Sequence, residues 1–206
     1  IYIDGKLYGN TLSMNIKGTR LAENQMNPNS VFDCSMVEYS LNENQNLDKP
    51  DRIIKEIYSE WKEAIAKPNK FRTIDNYVAK PDFTERSEKL ATTKYLNYWN
   101  DLIKKRAALY PNEKTIASKG IKEMQSKLSL EDESLLSNES YFDYVQSQLV
   151  QKNKEDIDDN SKAVIEISKL KPSSFKDKLL FWQVRKSLED ATNSEERSNL
   201  IATYQS

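Results

Sequence analysis

Three clusters of side chains have the types and spacing that chemistry uses. Asp156, Asp158 and Asn160 stand at alternate positions in EDIDDNS, residues 155–161, as at the start of a calcium loop, where oxygen donors on every second residue converge on one hard cation. The pattern then breaks. Ser161 stands where such a loop needs Gly, and Ile167 where a bidentate Glu closes the cage, so an acidic solvated turn before the next helix is expected. Glu131, Asp132 and Glu133 offer carboxylates, but acid–base work needs two acids converging across a cleft rather than adjacent in sequence. Charge at a helix N-terminus is their expected role. Lys104, Lys105 and Arg106 lie near Trp99 and Tyr110, and cations interleaved with stacking rings bind single-stranded nucleic acid. Here the rings fall on the apolar face, so the cations read as a solvated helix end.

The residue inventory closes other routes. With no histidine and the single cysteine Cys34, neither the common zinc and haem sites nor a Ser-His-Asp triad or CxxC pair can be assembled. Cys34, in the alternating stretch VFDCSMVEY, is expected to be a small buried strand residue. No catalytic, metal or cofactor residue is assigned, and the expectation is a non-enzyme. The aromatic residues remain. Trp61, Tyr95, Trp99, Phe181 and Trp182 could line a ligand pocket or an interface, because amphipathic rings bury area while keeping a polar tip wet; core packing is the plainer expectation. Asn138-Glu139-Ser140 matches a glycosylation sequon, which a helix cap explains equally well.

The elements that must position these residues follow from glycine placement and periodicity. Gly5, Gly9 and Gly18 crowd the start, leaving only Gly120 for the rest. Asp4-Gly5 is a hairpin signal; Leu12, Met14 and Ile16 alternate, and VFDCSMVEYSL supplies a third alternating run. Residues 1–45 therefore read as a small antiparallel β element. Residues 46–206 read as helical. Pro50 suits a first turn, and Ile53, Ile54, Ile57, Trp61 and Ile65 make a stripe ending before Lys67-Pro68. Thr84 is expected to cap a helix through about Leu109, followed by one over about 113–128 and another carrying Tyr141, Phe142, Val145 and Leu149. Asn160-Ser161 opens a short helix, and EERSNLIATY closes the chain. The densest apolar stretch is SSFKDKLLFWQVRKSLEDA, residues 173–191, where Ser174 and Asp177 read as a capping box and Phe175, Leu179, Trp182, Phe181, Val184 and Leu188 cover most of a helix surface. The predicted fold class is mainly α, an irregular helical bundle with a small N-terminal antiparallel β element.

Charge and length set the outer bounds. Over 206 residues, Lys+Arg 31 against Asp+Glu 32 gives a net charge of -1, which excludes a whole-domain positive field for nucleic acid or an anionic membrane. The longest apolar run, Leu179 to Trp182, falls far short of the roughly 18 residues of a membrane span. Starting at Ile1 and stopping inside a helical pattern at Tyr204-Gln205-Ser206, the sequence reads as a fragment.

A strand-rich start, a long helix and then shorter helices, with LLSNESYFDYVQSQLVQKN, SKAVIEISKL and FKDKLLFWQVRKSL as the pieces that carry the likeness, resemble the region preceding the thioredoxin domain in TlpA/ResA-like thiol-disulfide oxidoreductases of Bacteroidota. The likeness covers residues 128–206 at best. It implies a periplasmic or cell-envelope accessory segment whose partner is a neighbouring thioredoxin-like domain or another protein. The family's CxxC pair has no counterpart here. The other class of function open to this sequence is a small-ligand or glycan-binding helical domain with an aromatic-lined pocket.

Overall fold

The computed structural model describes residues 2–8, 11–17, 35–70, 81–153 and 160–205. The described chain is mainly helical. Strands β1 (Tyr2–Tyr8) and β2 (Thr11–Lys17) pair antiparallel, with Tyr8 opposite Thr11 and Tyr2 opposite Lys17. Asp4 and Gly5, expected at the turn, sit within β1 opposite Asn15 and Met14. Gly9 and Asn10, between the two strands, lie outside the described residues.

The third alternating run is not a strand from Ser35 onward. Helix α1 spans Ser35–Asn42 and buries Val37, Ser40 and Leu41, positions i, i+3 and i+4 of a helical period, of which Val37 and Leu41 fit an alternating one as well. Cys34 lies outside the described residues. Helices α2 (Pro50–Lys70) and α3 (Pro81–Leu109) follow. Each starts on a proline, whose missing N–H is one of the unpaired donors of a first turn. Helix α3 therefore begins ahead of the expected cap Thr84, and α2 runs through Pro68. The connector at 71–80 lies outside the described residues.

The next helix is shorter than its apolar pattern suggests. Helix α4 is confined to Lys119–Ser126, started by Ser118, whose hydroxyl accepts from Ile121 N at 3.3 Å. The expected first turns are an irregular loop. It is held by Arg106, which donates to Thr115 at 2.9 Å and to Glu113 at 2.6 Å and stacks over Tyr110. Ile116, expected on the apolar face, is 77% exposed in this loop. Helices α5 (Glu139–Asn153), α6 (Asn160–Ser168), α7 (Ser174–Asp190) and α8 (Ser194–Gln205) complete the order. Ser173 rather than Ser174 caps α7, accepting from Lys176 N at 3.1 Å.

The chain forms two compact units, Ile1–Tyr95 and Leu96–Ser206, so that α3 contributes to both. The first unit's core runs along α2 as Ile53, Ile54, Ile57, Trp61 and Ala64, with Val37, Leu41 and Leu47 before it and Ala91 and Tyr95 from α3. Its Trp61 Nε1 donates to Thr92 Oγ1 at 3.0 Å, and Thr92 donates to the Glu88 carbonyl. In the second unit Leu96, Trp99, Leu102, Ile121, Met124, Leu135, Leu136, Tyr141 and Leu179 are buried. No helix among the described residues is long and apolar enough to cross a membrane.

Candidate functional site

Helix α7 has more apolar side chains than one buried face can take. The row that goes inward is Phe175, Leu179, Gln183 and Ser187, four residues apart and so stacked along one side of the helix. Its second half is polar. Gln183 Oε1 accepts from Gln146 Nε2 of α5 at 3.1 Å, and Gln183 Nε2 donates to Ser187 Oγ at 3.1 Å. A buried amide left without such partners costs about 1–3 kcal/mol, so these bonds fix which side of α7 turns inward.

With that side committed, Leu180, Trp182, Val184 and Leu188 are half-buried and Phe181 faces outward. Phe181 is 57% exposed. It shares a shallow groove of about 460 Å³ with Val184, Arg185, Leu188 and Glu189 of α7 and Ile201 of α8. The turn between the two helices is set by Asn193, whose Oδ1 accepts from Glu196 N at 2.8 Å, while Glu196 accepts in return from Thr192 N at 3.0 Å. Arg197 adds a bond to the Ala191 carbonyl at 3.2 Å. The groove wall is almost wholly apolar, and its charges are the Arg185–Glu189 pair at 2.8 Å. Phe181 meets Trp182 edge-on at 5.8 Å, and Arg185 lies 5.1 Å over the Trp182 ring.

The five aromatic residues singled out in the sequence differ in exposure. Trp61 and Tyr95 are fully buried in the first unit and Trp99 is buried in the second, so none of the three offers an open face. Only Phe181 and the half-buried Trp182 reach the surface together. The sequence places Val184 and Leu188 on the crowded apolar surface of α7 without choosing their side, and it gives Ile201 no part. The overfull apolar circumference of α7 was the available signal that some of these residues must face outward.

The charged clusters do structural work. Asp132 Oδ1 accepts from Ser134 N at 3.1 Å and from its hydroxyl at 2.6 Å, capping a short 3-10 turn. Glu133 binds Lys178 of α7. The hydrogen bond from Lys178, helped by one from Ser174, holds the Glu133 carboxyl below the usual range. Arg106, expected at a solvated helix end, is buried. Asn138 caps α5 by accepting from Tyr141 N at 3.2 Å. Lys186 donates to Asp143 at 2.6 Å; burial, with a smaller push from Asp143, moves the Asp101 carboxyl upward against the pull of Lys104 and Lys105. Burial also lifts the Tyr144 phenol to about 12. Among the described residues no group of three or more His, Cys, Asp or Glu side chains could hold a metal ion. Asp156 and Asp158 lie outside them.

No family model matches the chain, and no curated protein or solved structure matches it either.

Proposed function

We propose that the chain is a non-enzymatic accessory domain that acts by contact with a protein surface, in the periplasm or cell envelope beside a thioredoxin-like domain. The observation that carries this reading is Phe181, an aromatic side chain held 57% exposed on a firmly packed helix and flanked by Val184, Leu188 and Ile201. An apolar strip bordered by charge is the usual mark of a contact surface. Of the small antiparallel β element expected over residues 1–45, we retain strands Tyr2–Tyr8 and Thr11–Lys17 and propose that they pack on the helices or complete a larger sheet. In a second reading the same groove takes a small ligand or glycan, favoured by the edge-on Phe181–Trp182 pair.

A titration of the ¹⁵N-labelled chain tests both. Adding a thioredoxin-fold protein with a reduced CxxC pair should shift the amides of Phe181, Val184, Leu188 and Ile201, and Phe181→Asp should abolish the shifts. A response to glycans or metabolites instead moves the assignment to the second reading. Silence toward every thioredoxin-fold protein tried removes the proposed pairing.

A further inference from the structure

We draw no further inference here: the strongest candidate, the apolar groove between α7 and α8 lined by Phe181, Val184, Leu188 and Ile201, belongs to the surface already proposed as the contact site, and nothing in the structure shows what covers it.

Discussion

Helices α2 and α7 solve the same problem in opposite ways. In α2 the stripe residues Ile53, Ile54, Ile57 and Trp61 are buried together with Ala64, Ile65 being half-buried, and Trp61 on this face donates to Thr92. In α7 the buried row ends in Gln183 and Ser187, while Phe181 faces solvent and Val184 and Leu188 are half-buried. Hydrophobic burial is non-directional, so a helix with a single stripe has one way to pack. A helix apolar over most of its circumference has several. Directional hydrogen bonds must then choose among them, and in α7 the Gln146–Gln183–Ser187 chain makes that choice.

Trp61→Ala should produce the largest effect on either side of this comparison. It removes a fully buried indole from the α2 core and should cost about 3–5 kcal/mol in urea unfolding followed by circular dichroism. Leu179→Ala, on the buried row of α7, should cost about 2–5 kcal/mol. A loss below 1 kcal/mol at either site would mean the burial described for that helix is wrong.

The polar chain distinguishes the two helices more sharply. Gln183→Ala leaves Gln146 without its acceptor and should cost about 1–3 kcal/mol. Replacing Gln146 and Gln183 together by Leu should cost less than the two single losses added, because both amides leave together and only the buried Ser187 hydroxyl loses a bond. That double variant is also expected to lose the choice of inward side, visible as broadened α7 amide resonances. If the separate losses of Gln146→Leu and Gln183→Leu simply add in the double variant, the residues are not coupled and the hydrogen bonds do not orient α7.

This contrast also explains which features the sequence could reveal. The α2 stripe, the mainly helical class and the α5 core positions Tyr141, Phe142 and Val145 follow from period and burial alone. The α7–α8 groove does not, because choosing the outward residues depends on Gln146, distant in sequence. The loop before α4 was hidden for a similar reason: the 113–128 pattern fits a helix until Arg106 draws Glu113 and Thr115 toward itself. In α1 Val37 and Leu41 satisfy both periods, and only the packing of the helix on α2, with Ser40 donating to Glu56 at 2.6 Å, decides between them.

Carboxylates near α7 should respond to acid with opposite signs. Asp101 has its folded pKa raised by burial above 3.8, so its contribution is most favourable below that value and is lost as pH rises through the folded pKa. Glu133 is held below 4.5 by Lys178; its contribution is present above 4.5 and is lost as pH falls through the folded value. Asp101→Asn should therefore gain stability relative to the native chain as pH rises from about 4 to 7. Glu133→Gln should lose ground over the same direction. Denaturation midpoints measured across that range check both signs, and a common sign for the two variants would show that burial does not dominate at Asp101.

The smallest expected change in stability belongs to Phe181, the residue on which the proposed contact surface rests. Phe181→Ser removes an exposed ring and should shift stability by within about 0.5 kcal/mol, the usual range for a surface substitution. Its effect on solubility should be larger, since one apolar member of the groove is gone. The edge-on contact with Trp182 should disappear as well, changing the Trp182 fluorescence while the buried Trp61 and Trp99 stay silent. A loss of 2 kcal/mol or more would place Phe181 among the core residues of α7, giving that helix the same single inward stripe as α2. A neutral outcome leaves α7 with one face that holds the unit together and another whose apolar surface the fold does not need.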